Sequence, residues 1–197
     1  MTGIVLPSSM SRGELTVRLW RPDDVPALAA AIAANLDWLR PWLPWVGEEP
    51  LELERRHELV RRWREQHAAG LDATYGIFLD GEIAGGTGLH QRIGPGGLEI
   101  GYWVAGAVAR RRVATTTAAL LTLAGLAAFG VDRIEIHHAV ENHRSAGVPQ
   151  LLGYRRCGPF MAEPLGPGLS GERVRWRLRT GDVTPALHRR LSQIEVR

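Results

Sequence analysis

Alternating apolar and polar residues predict several short β-strands along the chain. Residues 14–20 (ELTVRLW) alternate in this way. Residues 73–79 and 82–90 flank Asp80-Gly81, and this dipeptide between two strand-like runs is typical of a β-hairpin. Further strands are predicted at residues 98–104 (LEIGYWV), 132–140, from 154 to 157, and 171–179. The pattern therefore predicts a sheet of several strands.

Helical segments separate these strands. Pro22 and two acidic residues open a helix that runs to about residue 34, and residues 50–70 form a charged surface helix bounded by Pro50 and Gly70. Residues 113–130 predict a long apolar helix, and a short helix is expected around residues 145–152. The order β-α-α-α-β-β-β-α-β-α-β-β predicts an α/β domain of the α+β type, with a mixed sheet and helices on both faces.

The chain length and composition suit one globular domain. The 197 residues are 45% hydrophobic and 23% charged. We expect an N-terminal arm at 1–13, a single domain at 14–180 and a tail at 181–197 that could form a short helix. Residues 1–11 lack a signal-peptide pattern, and the lone Cys157 excludes an internal disulfide framework, so a cytoplasmic protein is expected. The uncharged segment 113–130 is interpreted as a buried helix, and no membrane partner is expected.

All 24 basic side chains are arginine, which excludes lysine chemistry. The formal net charge is +3 and is spread along the chain rather than clustered. Nucleic acid is therefore not the expected partner. No metal cofactor is expected either.

Residues 37–46 (DWLRPWLPWV) concentrate aromatic side chains on an irregular segment. Trp38, Trp42 and Trp45 are interspersed with Pro41 and Pro44, which break any long helix. Two interpretations stand side by side: a lid that covers the core, or a wall of a substrate groove formed by Trp38 and Trp42.

An ordered set of motifs resembles a known family. The set runs LRPWLPW, then EIGYWV, then RRVAT before a helix, then Asn142 and Ser145, then LGY at residues 152–154. This set resembles the GNAT acetyltransferases, and most closely the RimJ/RimL-type protein N-acetyltransferases, over residues 14–179. The resemblance implies the GNAT fold: a mixed, largely antiparallel sheet whose middle strands splay apart.

The resemblance also implies an acyl-CoA-dependent N-acyltransferase, with acetyl-CoA as co-substrate. The acceptor would be a primary amine of a peptide or protein N-terminus, or of a small molecule, and a homodimer is compatible with the family. The pantetheine arm would bond to the backbone of Trp103 and Val104 and contact Asn142, and Ser145 would lie near the sulfur. The pyrophosphate would meet the backbone N–H groups of Arg111, Arg112, Val113, Ala114 and Thr115.

Amine attack on a thioester needs a base for the ammonium and an acid for the leaving thiolate. Ser145 is the candidate acid, and it could equally be the N-cap of the following helix. Glu99 and His137 are candidate bases, although a strand histidine is more often structural. Glu135, which alternates with two isoleucines, is interpreted as a surface residue.

Two departures from the family pattern bear on activity. The family's phosphate loop is Gln/Arg-x-x-Gly-x-Gly/Ala, but residues 109–114 read ARRRVA, so that only Ala114 agrees. Arg112 takes a position where glycine allows a positive φ, and a left-handed non-glycine residue costs about 1–2 kcal/mol. Pro149 also lies within the predicted short helix. These departures favour an alternative function, a non-catalytic GNAT-fold module that binds acyl-CoA or a partner.

Overall fold

Eight strands form one sheet in the residues that this computed structural model describes, 3–164 and 169–196. They are β1 (Ser9–Arg12), β2 (Leu15–Leu19), β3 (Ala73–Leu79), β4 (Glu82–His90), β5 (Gly97–Val104), β6 (Arg133–Ala139), β7 (Arg155–Met161) and β8 (Glu172–Arg179). Their spatial order is β1-β2-β3-β4-β5-β6-β8-β7.

The helices connect these strands and cover the sheet. They are α1 (Val25–Ala33), α2 (Leu36–Leu39), α3 (Leu53–Ala68), α4 (Val113–Ala127), α5 (His143–Leu151) and α6 (Pro185–Gln193). Helix α4 packs on β5 and on α5 and α6, while α1 and α3 pack on the opposite face over β4 and β3. Apolar side chains fill both layers, with Leu98, Ile100 and Leu121 on the α4 side and Trp20, Leu28 and Val60 on the other. The predicted mixed sheet with helices on both faces is confirmed.

The sheet opens at its centre. Every neighbouring pair of strands is antiparallel except β5 and β6, which run parallel. Their pairing begins at Gly97 with Arg133 and ends at Ile100 with Ile136. β5 continues to Val104 and β6 continues to Ala139. The last residues of the two strands therefore border a gap, which we call the β5–β6 gap.

Several element boundaries differ from the expectations. Residues 9–12, which were expected in an N-terminal arm outside the domain, form β1 and pair with β2. The polar segment Ser-Met-Ser-Arg lacks the apolar alternation that marks a buried strand, because β1 is a half-exposed edge strand. The Asp80-Gly81 hairpin is confirmed, and both residues have positive φ. In the described part of the chain, no helix is long and apolar enough to cross a membrane.

Candidate active site

The backbone of β5 presents hydrogen-bonding groups to the β5–β6 gap. The N–H of Ala105 bonds to the C=O of Ala84 at 2.8 Å, which fixes the phase of the antiparallel ladder between β4 and β5. Groups alternate along such a ladder, so the N–H and C=O of Trp103 face β4, whereas those of Tyr102 and Val104 face the gap. The backbone of Val104 therefore faces the gap, as its predicted bond to the pantetheine arm requires. The backbone of Trp103 faces β4 instead, so the adjacent Tyr102 offers the second backbone position.

Trp38 lies at the mouth of this gap. Its indole Nε1–H donates to the C=O of Val104 at 3.0 Å, and the guanidinium of Arg144 lies 4.8 Å from its ring centre. Trp38 therefore connects α2 with the end of β5 and with the first turn of α5. The side chain is about one-third exposed, so it forms a wall at the mouth rather than part of the core.

The indole of Trp103 forms a second part of this wall. It lies over Gly86, where an added Cβ would be 2.5 Å from Nε1, and its ring is 6.5 Å from that of Trp45. Trp42 precedes Trp45 by three residues and is half-buried. Both predicted groove residues, Trp38 and Trp42, belong to the segment that precedes α3, and a substrate contact by either stays a prediction.

The loop before α4 has the conformation of an anion cradle. Arg112 is the N-cap of α4 with φ of 63° and ψ of 11°, and Arg110 has φ of 68°. The first bond within α4 runs from Thr116 N–H to Arg112 C=O at 2.8 Å, so the N–H groups of Val113, Ala114 and Thr115 precede the helical ladder. Such N–H groups, with the positive end of the helix dipole, favour phosphate.

The left-handed conformation predicted for the glycine position is present although Arg112 occupies it. Arg112 therefore adopts the conformation that glycine would allow, and Arg111 and Arg112 add positive charge beside the helix start. The loop geometry thus gives no support to the alternative of a degraded phosphate site.

Helix α5 brings the hydroxyl of Ser145 to the α4 side of the gap, where it forms a hydroxyl pair with Tyr102 of β5. Asn142 is the N-cap, and its Oδ1 accepts from the N–H of Ser145 at 3.1 Å. The alternative that Ser145 caps this helix is therefore wrong, because Asn142 does so one turn earlier. Pro149 lies inside α5, and the helix still spans nine residues. The pantetheine contact predicted for Asn142 stays a prediction.

The Oγ of Ser145 lies 2.9 Å from the hydroxyl of Tyr102. Burial raises the pKa of Tyr102 to about 12, against a smaller lowering by the Ser145 hydrogen bond. Tyr102 is thus protonated at neutral pH and can supply a proton through or beside Ser145. Tyr102 was not among the residues expected at the site. It lies two residues after Ile100 on β5, so the two side chains point to the same face of the sheet.

A second group of polar side chains lies on the opposite face of the sheet. Glu99 is 8% exposed, and both its oxygens accept from Arg92, at 2.7 and 2.9 Å. His137 Nδ1 lies 3.4 Å from Glu99, and its Nε2 lies 2.7 Å from Glu135. The structure therefore brings together the two predicted bases, Glu99 and His137.

Glu135 is buried, so the expectation that it lies on the surface is wrong. Its side chain is 3% exposed, and it accepts from Arg177 Nε at 2.6 Å as well as contacting His137. Burial raises the pKa of Glu135, but the hydrogen bonds from His137 and Arg177 outweigh this effect and lower it. Ile134 and Ile136 face the core on one side of the sheet, and Glu135 faces the other side. The alternation of residues alone could not show whether that other side is buried or exposed to solvent.

The pKa of Glu99 is also lowered. Burial opposes the charged form, but the hydrogen bonds and charge of Arg92, together with the charges of His137 and His90, outweigh it. Glu99 is therefore ionised at neutral pH and able to accept a proton. In the described residues, no group of three or more potential ligands is arranged to hold a metal ion.

Comparison with known proteins places this geometry among acetyltransferases. The model of the family described as "Acetyltransferase (GNAT) domain" matches residues 14–155. YdaF of Bacillus subtilis (strain 168), named as a ribosomal N-acetyltransferase, is 31% identical over 148 residues, which are 73% of this chain and 79% of YdaF.

Two solved structures share the fold. RimL, a ribosomal L7/L12 α-N-protein acetyltransferase in complex with coenzyme A, is 21% identical with a TM-score of 0.77, covering 91% of this chain and 99% of its own. Mycobacterium smegmatis RimJ in complex with CoA-disulfide is 22% identical with a TM-score of 0.77, covering 96% and 91%.

Proposed function

Because the chain belongs to the GNAT acetyltransferase family, whose members are acyl-CoA-dependent N-acetyltransferases, we propose that it acetylates the α-amine of a peptide or protein N-terminus. The observation that carries this proposal is the β5–β6 gap, which has the hydroxyls of Tyr102 and Ser145 on one face of the sheet. On the other face His137 borders the gap and contacts Glu99, which lies just before the gap opens. YdaF and RimL are named for ribosomal acceptors, which favours a protein α-amine over a small molecule.

The gap and the start of α4 together suit the two ends of acetyl-CoA. The gap-facing groups of Tyr102 and Val104 would bond to the amides of the pantetheine arm, as an added strand would. The N–H groups at residues 113–115, with Arg111 and Arg112, would hold the pyrophosphate. Since Trp38 donates to one lone pair of the Val104 carbonyl, the second lone pair is the one available to the arm.

The two faces of the gap divide the proton transfers. The acceptor ammonium would approach from the face of Glu99 and His137, and its proton would pass to Glu99, directly or through His137 or water. The neutral amine then attacks the thioester carbonyl, and the nitrogen of the tetrahedral intermediate loses its second proton to water. The C–S bond breaks as this intermediate collapses to the amide. Tyr102 and Ser145, on the opposite face, would protonate the leaving thiolate.

A proton relay would connect the acceptor ammonium with Glu99. Glu99 precedes Tyr102 by three residues, roughly 10 Å along an extended strand. Gly101, between them on the face of Glu99, carries no side chain. A proton relay through this space fits the geometry better than direct contact between base and thioester.

The first test is acetyl transfer to a synthetic peptide with a free N-terminal serine, followed by mass spectrometry. We expect transfer of one acetyl group to the α-amine and none to a peptide whose N-terminus is already blocked. Acetyl-CoA binding without transfer to any peptide would contradict the proposal and favour the non-catalytic module.

The hydroxyl pair gives a sharper test. We expect Tyr102→Phe to lower kcat about a hundredfold, with little change in the affinity for acetyl-CoA, because the general acid is lost. Ser145→Ala should have a similar effect, and the double variant should be little worse than either single one, since the hydroxyls act as one unit. Additive losses would show that the two hydroxyls work independently.

The aromatic wall is tested through the acceptor. We expect Trp42→Ala to raise the KM for the peptide severalfold and to leave the dissociation constant of acetyl-CoA unchanged. An unchanged peptide KM would remove Trp42 from the acceptor groove.

A further inference from the structure

A row of arginines runs along β8 beside the candidate active site. The strand reads ERVRWRLR, and the residues at odd positions lie on one face of the sheet because side chains alternate. The even positions Val174, Trp176 and Leu178 are buried on the other face. The arginine row consists of Arg173, Arg175, Arg177 and Arg179.

The register of the sheet places this row next to the candidate base. Arg175 lies opposite His137, and Arg177 lies opposite Glu135. Phe160 of β7 contacts both neighbours, with its ring 5.1 Å from the His137 ring and 4.8 Å from the Arg175 guanidinium. An acceptor whose amine reaches His137 would therefore lie beside Arg175.

Positive charge is in excess at this place. The buried Glu135 carboxylate is shared among Arg177 at 2.6 Å, Arg175 at 3.5 Å and Arg133 at 3.9 Å, besides His137. The Nε of Arg175 is buried and faces Glu135, while about one-third of the side chain is exposed, so that a ligand can reach only the other guanidinium nitrogens. Arg175 is thus held in place by Phe160 and Glu135 and has donors left for an anion.

The spacing of the row matches an extended peptide. Alternate residues on a strand lie roughly 6.6–6.8 Å apart, and alternate side chains of an extended acceptor have the same repeat. Guanidinium groups bind carboxylates with two parallel hydrogen bonds. We propose that Arg175 and the neighbouring Arg173 of the row bind acidic side chains at alternate positions after the acceptor's α-amine, since Arg177 already holds Glu135, so that this enzyme prefers acidic N-terminal segments. This inference rests on the proposed function.

The test compares three peptides that begin with serine and differ only at two alternate positions downstream, which carry Glu, Ala or Lys. For the wild type we expect kcat/KM for the Glu peptide to exceed that for the Lys peptide about tenfold at low salt, and this ratio to shrink as salt is added. The ratio is taken within one enzyme, so a loss of folded or active protein in a variant cancels from it.

Substitutions at Arg175 should change the ratio. Arg175→Gln should remove most of the preference, and Arg175→Glu should reverse it in favour of the Lys peptide. The matched control is Arg61→Gln, an exposed arginine on α3 that pairs with Glu65 at 2.9 Å, and its ratio should equal that of the wild type.

Four outcomes would overturn the proposal. Equal use of the three peptides by the wild type would refute it while the proposed function stands. A preference that survives both Arg175 substitutions would assign it to other residues. No turnover of any peptide would refute the proposed function together with this inference. Equal inhibition of all three peptides by a uridine oligonucleotide, with no preference among them, would mean that the row binds phosphates instead.

Discussion

Among single residues, Arg92 controls the ionisation of the candidate base Glu99. Burial alone would raise the pKa of this carboxyl, and the two hydrogen bonds from Arg92 make the largest opposing contribution. Sequence reasoning identified Glu99 and His137 but not Arg92 or Tyr102. Arg92 follows β4 and reaches Glu99 only because the β4–β5 turn folds back, a relation that spacing along the chain does not reveal.

This control predicts the pH dependence of the reaction. In Arg92→Ala the lowering contribution is lost while burial stays, so the pKa of Glu99 rises and the acid limb of kcat/KM moves to higher pH. Glu99→Gln should be slow at every pH. The profiles are measured by peptide acetylation from acidic to mildly alkaline pH, with Arg61→Ala as the control. An unchanged acid limb in Arg92→Ala would mean that Glu99 is not the base.

Among the helices and strands, most were predicted because their apolar positions follow the helix or strand period. The exceptions have physical reasons. Edge strand β1 carries no apolar pattern, and α5 begins at His143 because Asn142, rather than Ser145, supplies the cap. The hydrogen bond from Trp38 to Val104 joins residues 66 positions apart, so no local sequence pattern could predict it.

The turn into α4 gives a prediction about backbone strain. Arg112 has a positive φ, so Arg112→Gly should be more stable than Arg112→Ala by about 1 kcal/mol, because only glycine adopts this conformation without cost. Urea denaturation measures the two free energies of unfolding.

The same pair of substitutions in an ordinary helix is the control. At Arg61, inside α3, Gly should be less stable than Ala by about 1 kcal/mol. The same sign at both positions would show that residue 112 is not held in the left-handed conformation in solution.

Across the whole molecule, buried and partly buried carboxylates connect the strands of the sheet. Glu135 links β6 to β8 through Arg177, and the carboxylate of Asp72 contacts Nδ1 of His90 at the end of β4. The fold class and the family could be predicted from sequence motifs, while the burial of Glu135 emerged only once β6 and β8 were paired.

These pairs make stability depend on pH. The pKa values of Asp24, Asp72, Glu99 and Glu135 are lowered in the folded protein, so their contribution is present above the unfolded values and is lost as pH falls through the folded ones. We expect the free energy of unfolding to decrease from about pH 5 downward.

Glu135→Gln isolates one carboxylate of this set. It should cost about 3 kcal/mol at neutral pH, because it leaves three partly buried arginines and His137 without their charged partner, and it should flatten the acid dependence. Equal acid dependence in wild type and variant would exclude Glu135 as a contributor.

The function proposed for this protein depends above all on acetyl-CoA binding in the β5–β6 gap and at the arginine-containing turn before α4. Calorimetric titration with acetyl-CoA, of the wild type beside Arg112→Gly, measures that binding. We predict a dissociation constant of about 1 μM for the wild type, which corresponds to a free energy of binding of about −8 kcal/mol. Absence of binding by the wild type, with binding restored in Arg112→Gly, would show that the arginine obstructs the phosphate site and would contradict this prediction.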